Sequence, residues 1–565
     1  MSEGSAEAGG GPPEPPSVEV EAEADPAGVD PEGQGPEPPD AEQPAYSYDQ
    51  VPYSDHAFAQ THPDRLAVIG RLYGLAPAPV ERCRVLELGC GLGGNLVPMG
   101  LQMPGSEFVG VDLSRRQIEE GRRAVEAAGL GNVRLEHADI GDVDASWGRF
   151  DYIICHGVFS WVPESIREHI LAVSARNLEP GGIAYVSYNT YPGWHMREMI
   201  RHMMRYHSEQ FEQPRVRIGQ SKALLKFMTD SLPKDGEPYA RYLRQELAML
   251  NRQEDSYLFH EHLEDVNEPV YFHQFVEQAG RHGLQYLGEA DFGSMLMHGV
   301  TSAQVRRTVQ RISADVVRIE QYMDFLRNRT FRQTLLCHDG GELERRIAPG
   351  AVESLLLWST SRAMDPGIDF DPATAASFRT STGRTVRIRR PIAKAALQLL
   401  AQRHPRGLAF GELFDMAAER VPARWRTDDR EQMRSALAQD ALQCFSLGAL
   451  DLRTWLPELE GRVSERPRIC PLAAYRAKAG KRSTVNRYHR QVPIGPVARV
   501  LAPALDGGHD RRALVEHAAA LVRDGDLPIS RNGRPVTDPD EVRRSIAGIV
   551  EQALNNLARS ALLVG

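Results

Sequence analysis

The stretch VLELGCGLGG, residues 85–94, joins a short apolar run to a glycine-rich segment. Its alternating aliphatic residues predict a short strand, and the glycines that follow predict a tight turn. Glycines 89, 91 and 93 would let a ligand approach the backbone closely, because no Cβ intervenes. A helix that begins near Asn95 would offer free N–H groups at its start. The stretch therefore predicts a binding site for a small molecule.

From residue 84 onward the chain alternates segments typical of strands and of helices. The predicted strands are 84–89, 107–112, 133–138, 150–156 and 182–188, and the predicted helices are 95–103, 115–128 and 163–178. Ser114 is placed to cap the second of these helices. Such alternation predicts a parallel sheet with helices on both faces. Ligands bind such sheets at the carboxyl ends of the strands, which is where the glycine turn lies.

Two cofactor classes fit this turn. The pattern Gly89-x-Gly91-x-x-Gly94 matches the fingerprint of dinucleotide-binding proteins, and Asp112 follows at a distance suitable for a ribose contact. The glycine pattern alone is weak support for a dinucleotide, because glycine turns of this kind serve several ligands.

Three acidic residues favour S-adenosylmethionine instead. Glu87 lies two residues before the glycines, where a carboxylate would repel a pyrophosphate but tolerate a cationic amino-acid group. Asp112 ends the second strand, where it can accept both ribose hydroxyls, and Asp139 ends the third, where it can accept from an adenine amino group. One such acid alone would be read as a helix cap or a surface carboxylate. Three at successive strand ends favour the sulfonium cofactor.

The motifs resemble those of class I S-adenosylmethionine-dependent methyltransferases. The resemblance implies an α/β, Rossmann-like sheet of seven strands, the last of them antiparallel. It also implies that Gly89, Gly91 and Gly93 line the methionine part of the cofactor and that Asp112 holds the ribose. It implies further that Asp139 and Ile140 flank the adenine and that His156, Gly157 and Val158 lie under the sulfonium. The remaining cofactor-binding positions are Glu87, Cys90, Asn95 and Leu113.

Four further stretches resemble a narrower group. They are YDQVPYSDHAFAQTHPDRL (48–66), SYNTYPGWHMRE (187–198), YLFHEHLEDVNEPVYFHQF (257–275) and RNRTFRQTLLCH (327–338). Together they resemble bacterial methyltransferases that carry a methyltransferase regulatory domain. That group includes the rickettsial protein-lysine methyltransferases that act on an outer-membrane protein. The resemblance covers most of residues 46–565 and implies methyl transfer, with protein lysine as one substrate class.

The catalytic domain is predicted at 46–345, interrupted by helical segments. Residues 196–272 read as mostly helical and form the predicted regulatory insertion, with a second helical segment near 303–327. A helix and a strand at 283–289 resume the sheet, and 331–338 would be the final antiparallel strand. An insertion after the fifth strand would cover the substrate face, as a lid or specificity element does. The alternative is a separate domain that does not contact the site.

Residues 350–460 are predicted to form a winged-helix-like domain, and 461–565 a helical region without recognisable chemistry. A helix-turn-helix can bind DNA, but the candidate recognition helix FGELFDMAAERV is acidic, which favours a protein contact. The basic run at 384–394 reads more simply as a solvated strand edge.

The charge distribution separates the first 45 residues from the rest. They hold twelve Asp and Glu, no Lys or Arg, and many Pro and Gly, so we predict a disordered tail. The net charge of −10 comes from this tail, which leaves the remainder near neutral and does not favour nucleic-acid binding.

Six scattered cysteines without a CxxC pair argue against disulfides and a structural zinc site. The chain has neither a signal-peptide pattern nor an apolar run long enough to span a membrane, so we expect a cytoplasmic protein without membrane insertion.

The methyl acceptor is expected at the ends of the fourth and fifth strands, where aromatic residues cluster. Methyl transfer needs mainly alignment of nucleophile, carbon and sulfur, and an aromatic-lined pocket attracts cations and lowers the pKa of a lysine amine. The candidate catalytic residues are Trp161, Tyr188, Tyr191 and Trp194, with Tyr53 and His62 folding over the site from the N-terminal side. His260 and His262 lack partners at metal-ligand spacing, so no metal is predicted.

Three functions remain open at this stage. The first is a methyltransferase whose partner is a protein substrate carrying lysine side chains. The second is a small-molecule methyltransferase, and the third is a regulatory protein that binds the cofactor without turnover. A homodimer is compatible with each of the three.

Overall fold

The computed structural model describes residues 56–564 except 234–236, 297–301, 366, 460–462, 528–529, 532–533 and 536–538. The acidic segment 1–45 and Tyr53 lie outside the described residues. Seven strands form the central sheet: β1 (Arg84–Leu88), β2 (Glu107–Asp112), β3 (Val133–His137), β4 (Phe150–Cys155), β5 (Leu178–Asn189), β6 (Leu284–Glu289) and β7 (Phe331–His338). Their order is β3-β2-β1-β4-β5-β7-β6.

The sheet is parallel from β3 to β5, and β7 runs antiparallel to both β5 and β6. This confirms the seven-stranded Rossmann-like sheet with an antiparallel last strand. Four of the five residues of β1 are buried, because the strand lies at the centre with helices on both faces. The preceding helix ends at Arg176 and the fifth strand begins at Leu178 rather than 182, so the segment LEPGG (178–182) belongs to the strand.

Helices flank and interrupt this sheet. They are α1 (Pro63–Leu72), α2 (Leu96–Gln102), α3 (Arg115–Ala127), α4 (Glu164–Arg176), α5 (Trp194–Ser208), α6 (Pro214–Ser231), α7 (Pro238–Leu250), α8 (Asp255–Leu258), α9 (Phe272–Arg281), α10 (Phe292–Met295), α11 (Ala303–Ile312) and α12 (Val316–Arg327). Ser114 caps α3 as predicted, its Oγ accepting from the N–H of Gln117 at 3.2 Å.

The segment between β5 and α9 has a small core of its own. Helices α5 to α8 lead into a π-helical turn at Phe259–Leu263. Apolar residues of these helices, among them Ile200, Leu225, Leu243 and Leu258, pack on one another as a separate cluster. The amphipathic helices therefore bury one apolar face within the insertion, although several large apolar side chains, among them Tyr206 and Phe227, remain exposed on its outer surface.

A buried ion cluster fastens the second helical segment to the sheet. Arg332 of β7 is fully buried and donates to Glu289 at 2.6 Å, to Asp324 at 2.8 Å and to Glu320 at 3.1 Å. Several hydrogen bonds to one buried guanidinium compensate for its desolvation. The cluster thereby holds α12 against β6 and β7.

Residues after 345 add mixed helical and strand elements. They are β8 (Leu356–Trp358), β9 (Arg362–Ala363), β10 (Ala376–Arg379), β11 (Thr385–Ile388), α13 (Pro391–Arg403), β12 (Leu408–Ala409), α14 (Phe410–Arg420), α15 (Arg430–Ser446), β13 (Asp451–Arg453), β14 (Arg468–Ile469), α16 (Pro471–Lys478), β15 (Ser483–Val485), β16 (Gln491–Pro493), α17 (Pro496–Leu501), α18 (Arg511–Asp524), β17 (Ser530–Arg531), β18 (Arg534–Pro535), α19 (Pro539–Arg559) and β19 (Leu563–Val564). Strands β12, β8 and β13 form a small sheet beside α13, α14 and α15.

A single apolar core runs from the catalytic sheet into the C-terminal elements, including Leu66, Leu357 and Leu563. Within the described part of the chain, none of the helices combines the length and the apolar character needed to cross a bilayer.

Candidate active site

The loop after β1 is held tightly against β2. The N–H groups of Gly89 and Cys90 both donate to the carbonyl of Val111, at 2.8 and 3.0 Å. Gly89 has φ +75°, and a Cβ there would lie 2.4 Å from Cγ2 of Val158. Only glycine fits this position, because any side chain would meet the loop that follows β4.

Asp112 closes the glycine loop at the end of β2. Its Oδ2 accepts from the N–H of Gly91 at 2.8 Å, and its Oδ1 accepts from the N–H of Ser114 at 2.9 Å. Hydrogen bonds from backbone N–H groups favour the ionised carboxylate and fix its orientation. The negative charge therefore lies at the carboxyl edge of the sheet, beside the loop.

Glu87 is almost completely buried below the same loop, and only 3% of it is exposed. Its Oε1 accepts from Nδ2 of Asn95 at 2.8 Å, whereas its Oε2 has no hydrogen-bond partner among the described residues. Burial, and to a lesser extent Asp112, raises the pKa of the Glu87 carboxyl to about 8. A buried acceptor without a partner is favourable only if a donor, such as a ligand cation, completes the site.

The loop after β4 contributes a neutral histidine. His156 Nδ1 lies 2.8 Å from the hydroxyl of Tyr185, and burial lowers the pKa of the imidazole to about 4. The ring of Phe58 lies over that of His156, with centroids 3.9 Å apart. A neutral ring under an aromatic cover suits a cationic ligand better than a protonated histidine would.

These loops surround one cavity of about 1120 Å³. It is large enough for a nucleoside cofactor together with part of an acceptor. Thirteen of the predicted residues line it, namely Glu87, Gly89, Cys90, Gly91, Asn95, Asp112, Leu113, Asp139, Ile140, His156, Gly157, Val158 and Trp161.

Four predicted residues lie elsewhere, which corrects their placement. Tyr188 is buried in the core, stacked on Phe275 and hydrogen-bonded to Thr334 at 3.0 Å. Trp194 is also buried, at the start of α5.

Tyr191 stacks on His195 and lines a separate, open groove. Gly93 does not line the cavity. It has φ +71°, and a Cβ there would approach Leu135 at 2.9 Å, so the turn itself requires a glycine at this position.

Two residues that were not predicted contribute to the N-terminal cover of the cavity. His56 and Phe58 line the cavity. His62 lies below it, with Nε2 3.1 Å from Oε1 of Gln102, and burial lowers the pKa of His62 to about 3. His56, Phe58 and His62 all belong to the stretch 48–66; the prediction was wrong for His62, whereas Tyr53 lies outside the described residues.

The helical insertion completes the outer half of the cavity. Arg197 of α5 and Glu254, Tyr257 and Glu261 of the α8 region all line it. Burial raises the pKa of Glu261 to about 7, an effect that Arg197 opposes, with Nη1 4.0 Å from Oε1. The stretches 187–198 and 257–275 contain Arg197, Tyr257 and Glu261, but these residues were not singled out from the sequence, because the packing of the insertion brings them to the sheet edge.

Models of known families match three segments of the chain. "Methyltransferase domain" matches 85–182, "Predicted methyltransferase regulatory domain" matches 254–338, and "PKMT, C-terminal winged helix domain" matches 465–562. The second match begins inside the insertion predicted at 196–272 and continues to the end of β7. The third falls in the region predicted as helical, beyond the segment 350–460 for which we predict a winged-helix-like domain.

Two relatives and one solved structure show how far the similarity extends. Uncharacterized protein RP789 of Rickettsia prowazekii is 35% identical over 525 residues, covering 92% of this chain and 93% of that protein. Uncharacterized protein RP028 of the same organism is 46% identical over 241 residues, which cover 43% of this chain and 96% of that protein. The structure of PKMT2 from Rickettsia typhi in complex with AdoHcy matches with a TM-score of 0.81 and 32% identity, covering 91% of this chain and 100% of that one.

Proposed function

This chain belongs to the family of S-adenosylmethionine-dependent methyltransferases that includes RP789 of Rickettsia prowazekii and PKMT2 of Rickettsia typhi, and we propose that it methylates lysine side chains of a protein. The observation that carries the proposal is the shape of the cavity. It continues from the cofactor loop to an outer wall that contains Glu254, Glu261 and Tyr257 together with two arginines, Arg197 and Arg252. Its two carboxyl groups and its tyrosine ring can contact a lysine ammonium, and Arg197 favours the ionised form of Glu261.

The residues of the inner half fit the cofactor. The unpartnered Oε2 of Glu87 can accept from the ammonium of its methionine moiety, and the carboxylate of Asp112 can accept from its ribose hydroxyls. The bound cofactor supplies a methyl group on a sulfonium, which is already a good leaving group. The chain therefore has to hold the acceptor in line with that methyl group and exclude water.

The outer half of the cavity acts on a lysine ammonium in two steps: it binds the cation and then accepts a proton from it. The carboxylate of Glu261 attracts the ammonium to the cavity wall, beside Tyr257. An amine can attack only after it has lost its proton, and a free lysine has a pKa of about 10.4. Desolvation and the nearby Arg197 favour loss of this proton, and the carboxylate of Glu261 is placed to accept it.

The test is a transfer assay with the purified chain, methyl-labelled S-adenosylmethionine and a bacterial lysate as the source of acceptors. We expect label in protein, recovered as methyllysine after acid hydrolysis. Label confined to small metabolites, or binding without transfer, would overturn the proposal.

Glu261→Gln tests the assigned residue. We expect the initial rate of methyllysine formation to fall by about 100-fold, because a general base is removed, while the dissociation constant for S-adenosylmethionine stays unchanged. Glu246→Gln is the matched control, since Glu246 is also partly buried near Arg197 but does not line the cavity. Equal rates for the two variants would contradict the role of Glu261.

A further inference from the structure

A hairpin of the C-terminal region contacts the cofactor loop. Strands β15 and β16 are joined by residues 486–490, which lie against α2. At the tip of this turn, Nε2 of His489 lies 2.7 Å from Oδ1 of Asn95. The two residues are 394 positions apart in the chain, and both are buried.

The hydrogen bonds of Asn95 fix the orientation of its amide. The backbone N–H of Phe58 donates to Oδ1 at 3.1 Å, so Oδ1 is the acceptor side. The amide Nδ2 then donates to Oγ1 of Thr61 at 2.8 Å and to Oε1 of Glu87 at 2.8 Å. His489 must accordingly carry its proton on Nε2 and donate it to Asn95.

His489 is itself held firmly in place. Its backbone has φ +56°, and its N–H donates to the carbonyl of Asn486 at 3.0 Å. The same carbonyl accepts from Nε2 of Gln102 at 2.9 Å, which connects the turn to α2. The imidazole is fully buried, and burial keeps its pKa well below the usual value, so the ring is neutral.

We propose that His489 is a positioning residue for cofactor binding, which acts through Asn95 on Glu87. The N–H of His489 holds the Asn95 amide with Nδ2 directed at Oε1 of Glu87. That contact fixes the carboxyl so that its other oxygen, Oε2, is left for the cofactor ammonium. The C-terminal region thereby sets the affinity of a site that is otherwise built by the catalytic sheet. The inference depends on the binding of S-adenosylmethionine, and it applies whichever molecule accepts the methyl group.

The experiment measures the dissociation constant for S-adenosylmethionine by calorimetry on the full chain. His489→Leu removes the donor, and we expect binding about tenfold weaker. His489→Gln restores an N–H donor at a similar position and should bind within about threefold of the parent. Gln491→Ala is the control, because Gln491 lies in the same hairpin and contacts Ser483 rather than Asn95.

Two further measurements separate positioning from a general structural effect. His489→Leu should raise the KM for the cofactor while kcat at saturation is unchanged. In an Asn95→Ala background the same substitution should have no additional effect, because the hydrogen bond between residues 489 and 95 is already absent. Equal weakening by the Leu and Gln variants, or additive effects of the His489 and Asn95 substitutions, would overturn the proposal.

Discussion

Glu87 illustrates how the environment of one residue sets its chemistry. In the sequence it is an acidic residue two positions before a glycine turn, and its expected pKa is that of any glutamate. In the structure it is buried below the turn with one oxygen unpartnered, and its pKa is raised to about 8. Near neutral pH the cofactor-free enzyme therefore holds a mostly protonated carboxyl at this point.

Cofactor binding should release a proton from Glu87. A cationic ammonium beside the carboxyl lowers its pKa in the complex, so the complex binds fewer protons than the free enzyme. At pH 7 we expect the release of roughly one proton per site, and an affinity that rises between pH 6 and pH 8. Calorimetry in buffers of different ionisation enthalpy measures the release directly.

Glu87→Gln provides the control for this linkage. The variant has no proton to lose at this position, so both the release and the rise in affinity between pH 6 and pH 8 should disappear. Wild-type binding without proton release at pH 7 would show that Glu87 is not the group that meets the ammonium.

At the scale of elements, the π-helical turn 259–263 places Glu261 in the cavity. Two arginines of α5 hold the chain at the end of this turn. Arg201 donates to the carbonyl of His262 at 3.0 Å, and both Arg201 and Arg205 donate to the carbonyl of Asp265, at 3.2 and 2.9 Å. A π-turn has weaker regular hydrogen bonding than an α-helix, so such external donors stabilise it.

Arg201→Ala should impair the outer half of the cavity, to which we assign the methyl acceptor, and leave the inner half, to which we assign the cofactor, intact. Loss of the guanidinium leaves buried carbonyls unpaired, and the turn that carries Glu261 shifts. We expect the initial rate of methyllysine formation in the lysate assay to fall at least tenfold, with an unchanged dissociation constant for S-adenosylmethionine. Lys226→Ala, which removes an exposed pair with Asp230 in the same insertion, should leave both quantities unchanged. A loss of cofactor affinity in Arg201→Ala would contradict this division of the cavity.

At the scale of the whole molecule, the catalytic sheet and the later elements share buried polar contacts. Asp64 of α1 is fully buried and accepts from Arg453 at 3.1 Å, from the N–H of Thr454 at 2.6 Å and from the N–H of Trp455 at 3.1 Å. A carboxylate with this many donors is well compensated for its burial. This polar contact joins α1 to β13 and the residues after it, beside the apolar core that the two parts share.

Asp64→Ala should strongly weaken the contact between α1 and the later elements. The substitution leaves the buried Arg453 without its partner on α1, so the free energy of unfolding should fall by about 3 kcal/mol or more in denaturant titrations. Glu107→Ala is the comparison, because its pair with Arg84 is exposed and should contribute no more than about 1 kcal/mol. Similar losses for the two variants would mean that the buried contact does not join the two parts.

The sequence by itself determined the sheet and the inner half of the site. The glycine turn at 89–94 and the acids Asp112 and Asp139 could be placed because strand ends in a parallel sheet meet at one edge. The final strand was predicted at 331–338 and is found there, since its apolar pattern is local to that segment.

Only the tertiary structure decided which side chains complete the site. Tyr188 and Trp194 lie close in sequence to the strand end, yet they pack into the core, because the direction of a side chain depends on what surrounds its strand or helix. Glu261 and His489 reach the site from distant segments. Their positions follow from long-range packing, which local patterns of residues do not encode.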